Sequence, residues 1–149
     1  MKIIHVNKKA LHDYEIHEKL EAGIVLTGDE VKSLRQGNVS LKESFATIHE
    51  GEITLLNAYI APYSHAYSKK EDTSRRTRKL LLHKREINKL VGAVAKKGLT
   101  LVPLKIYFKK GYVKVEIGLA KHKKAHSKKR ELREKDIKRE TEREIKYRR

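Results

Sequence analysis

Apolar side chains fall on alternate positions through the segment 14–26, at Tyr14, Ile16, Leu20, Ile24 and Leu26. That period predicts an extended segment with these residues turned inward. Gly23 interrupts it and is expected to mark a bend or bulge. Thr27 and Glu30 then stand at capping-box spacing, Val31 and Leu34 share a face, and Gly37 is placed to end a short helix. Ser44 to Glu50 and Glu52 to Ile60 flank Gly51 and read as a hairpin. The polar stretch 61–78, rich in Ser, Thr, Lys and Arg, reads as a loop. Ile87, Leu90, Val91 and Val94 recur at i, i+3, i+4 and i+7, one face of an amphipathic helix that Gly98 follows. Two strands come after it. Val102, Leu104, Ile106 and Phe108 alternate with Pro103, Lys105 and Tyr107, and Val113, Val115, Ile117 and Leu119 alternate with Lys114, Glu116 and Gly118. Lys110-Gly111 is the turn between them, and Pro103 is tolerable only on an edge or at an irregularity.

Five or six short strands with two helices predict a mainly β fold, a small barrel whose closure removes exposed edges. An OB-type barrel is one such solution, though the pattern alone does not select that topology. The alternation stops near Ala120, which divides the chain into a body, 1–120, and a tail, 121–149. The tail holds 14 Lys or Arg against 6 Asp or Glu, a net of +8 out of the whole chain's +17. Glu131/Lys135, Glu134/Lys138, Glu142/Lys146 and Glu144/Arg148 have helical i, i+4 spacing, but Leu132, Ile137 and Ile145 form no continuous stripe. Such a segment has helix propensity and little to pack on. It is expected to be disordered alone and helical on an anionic surface.

A charge of +17 on 149 residues exceeds what solubility requires and points to a polyanionic partner. Lys and Arg displace condensed counterions from a phosphate backbone, and their release drives binding. Membrane binding would need an apolar helix face or a lipid anchor. Met1-Lys2-Ile3-Ile4-His5 has no signal-peptide core, Lys2 stands where myristoylation needs glycine, and no apolar run is long enough to span a bilayer. No membrane partner and a cytoplasmic location are therefore expected. With no cysteine there is no disulfide, thiol nucleophile or cysteine zinc site. His122 and His126 have i, i+4 spacing but lack a third ligand, so neither metal nor cofactor is expected. A nuclease site built from His12, Asp13 and His17 is the enzymatic alternative. In a strand the two histidines would fall on opposite faces, and no Gly-rich phosphate loop accompanies them, so no enzymatic activity is expected.

Several blocks are more specific. Asn7-Lys8-Lys9-Ala10, His12-Asp13-Tyr14, Glu21-Ala22-Gly23-Ile24 and Glu30-Val31-Lys32-Ser33-Leu34-Arg35 with Gly37 resemble the opening of the small protein B family. Arg78 to Ile87, Val102-Pro103-Leu104 with Tyr107, and Leu119-Ala120-Lys121 running into Lys123-Lys124 follow in that family's order, so the likeness covers about Asn7 to Arg130. It implies an OB-like barrel that binds the tRNA-like domain of transfer-messenger RNA and stands in for the missing anticodon arm. It further implies delivery of the charged RNA to a stalled ribosome, with transient association with elongation factor Tu through that RNA. The tail would engage the small-subunit decoding centre and the vacant mRNA channel, and no bond would be made or broken by the protein. Another OB-fold ribosome-associated RNA-binding factor, or a structural ribosomal protein, are the alternatives.

By matching position, Tyr14, Glu21, Leu81 and Lys114 correspond to the RNA-contacting surface. Lys121, Lys123, Lys124, His126 and Lys128, with the adjoining Lys129 and Arg130, correspond to the start of the ribosome-engaging tail. Two departures stand out: His122 where the family often has glycine at the barrel-to-tail joint, and Ser127-Lys128-Lys129 where Asp-Lys-Arg is common. The residues themselves support part of this assignment. Lys114 opposes Val113 and Val115 in parity and should point outward, and Leu81 should face away from Leu80 and Leu82. Glu21 repels phosphate, so it must accept a hydrogen bond from a base, orient a nearby cation, or close a salt bridge at the barrel rim. Arg75, Arg76, Arg78 and Lys79 form a compact basic run suited to phosphate contact. Most of Tyr59, Tyr63, Tyr67, Tyr107 and Tyr112 read as structural.

Overall fold

A computed structural model describes residues 1–63 and 73–123. Among them are β1 (Lys2–Val6), α1 (Lys8–Asp13), β2 (Tyr14–Ile24), α2 (Gly28–Arg35), β3 (Val39–Ser40), β4 (Phe45–His49), β5 (Glu52–Leu56), β6 (Tyr59–Ile60), β7 (Arg78–Leu81), α3 (Lys84–Lys97), β8 (Thr100–Lys109) and β9 (Tyr112–His122). Strands β8, β4, β5, β7, β2 and β9 pair in that order, and β9 returns to β8. The sheet therefore closes on itself as a barrel. β1 lies antiparallel along the rest of β8's outer edge, and β3 and β6 form a separate small sheet.

Local chemistry sets the turns. The Thr27 hydroxyl accepts from the Glu30 N–H at 3.2 Å and the Glu30 carboxylate accepts from the Thr27 N–H at 2.9 Å, closing the capping box of α2. Gly37, at φ +76°, ends that helix with its N–H on the Leu34 carbonyl. The Glu50-Gly51 and Lys110-Gly111 turns each place two successive residues in the left-handed region, which suits the twist of a tight hairpin.

The sequence pattern differs from the fold at several points. Three helices are present where two are expected. α1 has only six residues, too few for an apolar stripe, and it starts from buried Asn7. The Asn7 side chain accepts from the Ala10 N–H at 3.2 Å and donates to the carbonyls of Leu41 at 3.1 Å and Pro103 at 2.9 Å, so one amide joins three segments. Gly23 is not the bulge of β2; the register slips between Ile16 and Glu18. The hairpin strand after Gly51 stops at Leu56, because Asn57 adopts φ +63°, and Tyr59–Ile60 pairs elsewhere. The polar stretch 61–78 ends in strand β7, which begins at Arg78. Val91 stands exposed beside buried Ile87 and Leu90.

Pro103 sits at an irregularity, as its chemistry requires: the β8 register slips between Pro103 and Lys105. The slip changes which face the even-numbered residues occupy. Ile106 and Phe108 enter the barrel interior with Val115, Ile117, Leu55 and Leu80. Val102 and Leu104 turn to the outside, where Ala10 of α1, Ala120, Tyr14 and Ile16 cover them. Gly118 makes room there: a Cβ on it would lie 2.9 Å from Leu104 Cδ1.

Candidate nucleic-acid interface

One row of residues crosses the outside of the barrel. Leu81 of β7 pairs with Gly23 of β2, Gly23 pairs with Lys114 of β9, and Lys114 pairs with Tyr107 of β8. The bare Gly23 lets the Leu81 side chain lie across its neighbour: a Cβ there would stand 3.2 Å from Leu81 Cβ. Leu81 is 52 % exposed between buried Leu80 and partly buried Leu82, as its parity requires. Lys114 lies opposite in face to Val113 and Val115, with its ammonium 6.0 Å from the ring centre of the exposed Tyr112. Among the described residues no carboxylate forms an ion pair with it.

Glu21 projects from the same face of β2 as Gly23, two residues away. Its Oε2 accepts the Tyr107 hydroxyl at 2.6 Å, and Lys109 Nζ stands 3.1 and 3.3 Å from its two oxygens. The Tyr107 hydrogen bond first, and Lys109 second, hold the Glu21 carboxyl below its ordinary pKa. Burial, followed by the Glu21 carboxylate, pushes the Tyr107 phenol up, so the tyrosine stays the donor. Nearby, Glu116 balances Lys105 at 3.6 Å and Lys19 at 3.9 Å. The surface thus offers an apolar leucine, an ammonium with no ion pair to a carboxylate among the described residues, and a fixed carboxylate side by side.

Tyr14 is not part of this row. It lies nine residue steps along the strand from Gly23, about 30 Å at the usual rise. Its ring stands edge-on to His122, with centroids 4.9 Å apart and planes at 74°. It lines an open groove of about 350 Å³ that Asn7, Lys9, Phe45, Thr100 and His122 also border. Exposed Lys121 pairs with Glu15 beside it, and the Lys123 N–H donates to the Asp13 carbonyl at 2.9 Å. This end of the barrel is where the chain leaves for its tail. His122, at the position where the resembled family often has glycine, is held there as a strand residue against Tyr14. Lys124, His126, Lys128, Lys129 and Arg130 lie outside the described residues.

The basic run divides. Arg78, expected at the RNA surface, is fully buried, and this assignment is corrected. All five of its N–H groups are spent inside the protein. Nε donates to Glu30 Oε2 at 2.5 Å; Nη1 donates to the carbonyls of Ala58 at 2.7 Å and Arg76 at 3.3 Å; Nη2 donates to those of Ser74 at 3.0 Å and Thr73 at 3.4 Å. Arg76 shares Glu30, through a 3.2 Å bond from Nε and a second bond from Nη2, and is partly exposed. Arg75 is exposed over the Tyr59 ring, 5.4 Å from its centre, and donates to Asn57. Lys79 is exposed and pairs with Glu52 at 3.3 Å. Arg75 and Lys79 remain available to a phosphate.

His12 lies on α1 with Nδ1 3.0 Å from Asp13 Oδ1, and no group of three His, Asp or Glu side chains suited to a metal occurs among the described residues. No described helix is long and apolar enough to cross a membrane. Tyr107, Lys109 and Gly23 were not singled out as site residues by sequence. Tyr107 carried a weak signal, a tyrosine in register with an outward lysine.

The family model described as SmpB protein matches residues 4–147. The SsrA-binding protein of Sulfurihydrogenibium sp. (strain YO3AOP1) is 58% identical over 145 residues, covering 97% of this chain and 95% of its own. That of Geobacillus thermodenitrificans (strain NG80-2) is 52% identical over 147 residues, covering 99% and 94%. A chain of the solved structure described as "tmRNA-SmpB: a journey to the center of the bacterial ribosome" is 57% identical, with a TM-score of 0.67 over 81% of this chain and 85% of that one.

Proposed function

The chain belongs to the SmpB family, and we propose that it binds the tRNA-like domain of transfer-messenger RNA on the outer face of β7, β2 and β9. It is an RNA-binding protein of trans-translation that brings this RNA to the ribosome. The observation that carries the assignment of the face is the Leu81–Gly23–Lys114 row with Glu21 beside it. Each member suits a different part of an RNA. The Lys114 ammonium meets a phosphate and releases a counterion. Leu81 and Tyr112 offer apolar surface to an unstacked base or ribose in a loop. A carboxylate repels phosphate and can only accept, so Glu21 serves a base amino group, a ring imino group or a 2′-hydroxyl.

The remaining roles follow from charge and position. With the barrel filling the place of the absent anticodon arm, the +8 tail continues from Lys121 and Lys123 into the decoding centre and the empty mRNA channel, where rRNA phosphates supply the anionic surface. Lys124, His126, Lys128, Lys129 and Arg130 act there. Elongation factor Tu is met through the aminoacylated RNA, the setting is the cytoplasm, and the protein itself catalyses no step.

Competition binding tests this. Full-length protein holding a labelled tRNA-like domain is challenged with unlabelled tRNA-like domain or with an ordinary tRNA. The unlabelled domain should displace the label at far lower concentration. Equal displacement by both would mean that charge alone drives binding, and the alternative of a general ribosome-associated RNA binder would take its place.

A further inference from the structure

We infer that Tyr107 is a positioning residue for RNA recognition, acting through Glu21: its hydroxyl crosses β9 to hold that carboxylate in place before RNA arrives. The inference rests on the reading that Glu21 faces the RNA. Ile106 is buried in the barrel core and Phe108 packs against it, so the Tyr107 side chain projects from the outside of the barrel. A tyrosine there is normally half in water, yet only 2% of Tyr107 is exposed. It lies over β9, whose Lys114 is its register partner, and ends at Glu21 on the next strand, 2.6 Å away. Lys105 stands 5.7 Å from its ring centre, over the face of the ring.

The phenol has one proton to give, and it gives it to Glu21 Oε2. Among the described residues Oε1 meets only the exposed Lys109, at 3.3 Å, a flexible side chain that water or a ligand can replace. Tyr107 therefore fixes one oxygen and leaves the other open for a donor from the RNA. A glutamate on the outside of a strand otherwise samples several rotamers, and binding would have to stop that motion. Locking it beforehand cuts the ordering cost of association. The same short bond stabilises the ionised form, the form that can accept but not donate.

The test is a double-mutant cycle on the full chain, reading affinity for the tRNA-like domain and the unfolding midpoint of each protein. Tyr107→Phe keeps the ring and its burial and removes only the hydroxyl. Glu21→Ala removes the group that the hydroxyl positions. Tyr107→Phe should weaken binding about 3- to 10-fold, the scale of losing one charge-assisted hydrogen bond and some preorganisation. Glu21→Ala should weaken it at least as much, and the double variant should bind no worse than Glu21→Ala alone. Losses that multiply in the double variant would overturn the inference, since general softening of the barrel acts independently of Glu21. An unchanged affinity in Tyr107→Phe would overturn it too. If Glu21→Ala binds normally, the reading of Glu21 as an RNA acceptor fails first, and the inference with it.

Discussion

Arg78 looks like part of an RNA-binding basic run and is packed as a structural residue, so Arg78→Gln should cost stability and leave recognition intact. The wild-type guanidinium is fully buried and feeds five acceptors: Glu30 and the carbonyls of Ala58, Arg76, Ser74 and Thr73. Glutamine has two N–H groups and no charge, so at least three of those acceptors lose their partner. Breaking a buried ion pair costs about 3–5 kcal/mol. Glu30 keeps Arg76, which favours the lower end, about 3 kcal/mol, while carbonyls left dry add about 1 kcal/mol each where water does not reach. For a chain of this size each kcal/mol lowers the melting temperature by about 2–4 °C, so a fall of about 10 °C is expected. Thermal unfolding by circular dichroism reads the shift, and affinity for the tRNA-like domain is measured well below both midpoints. Arg75→Gln, at an exposed site, should move the midpoint by less than about 2 °C. An Arg78→Gln protein as stable as wild type, but with weakened and less salt-dependent RNA binding, would refute this account of Arg78.

Three further outcomes are expected. Lys114→Ala should weaken binding of the tRNA-like domain and lower the salt slope by roughly one counterion, and titrations at several salt concentrations would expose an unchanged slope. Gly118→Ala puts a methyl group 2.9 Å from Leu104 Cδ1, and Leu104 is itself buried, so overpacking should cost about 1–3 kcal/mol in urea unfolding; wild-type stability would contradict the contact. Burial pushes the Glu30 carboxyl up, but the hydrogen bonds from Arg76, the Thr27 backbone and Arg78 outweigh it and hold the pKa below the ordinary 4.5. A carboxylate depressed on folding gives its full stabilisation above the unfolded value and loses it as pH falls through the folded one. Glu30→Gln should therefore be less stable at neutral pH and show a shallower acid loss, and parallel acid limbs for the two proteins would count against this network.

What could be read from the chain was what local chemistry fixes. The Thr27/Glu30 capping box spans four residues, and the Lys110-Gly111 turn is set by two left-handed positions in succession. Leu81 and Lys114 point outward because a strand has a period of two, which needs no knowledge of the partner strands. The failures share a different cause. Arg78 reads as one more solvated cation until Glu30, 48 residues earlier, and the Ala58 carbonyl close around it. The bond from Tyr107 to Glu21 is likewise invisible in the chain, because the two are 86 residues apart and meet only when the barrel closes. The slip between Pro103 and Lys105 reverses the faces of β8, so an unbroken alternation puts Val102 and Leu104 on one face with Ile106 and Phe108, whereas they belong to the small cluster under α1. The length of β2 sets Tyr14 apart from Glu21 along one strand, a separation that the alternation of faces does not express.

The most direct measurement of where RNA sits is the change in backbone amide resonances when the tRNA-like domain is added to ¹⁵N-labelled full-length protein. Glu21 to Ile24, Lys79 to Leu81, and Val113 to Val115 should shift together and saturate at one equivalent. If those amides stay still while α1 and Phe45 respond, the RNA binds the other end of the barrel and the face described here is not its seat.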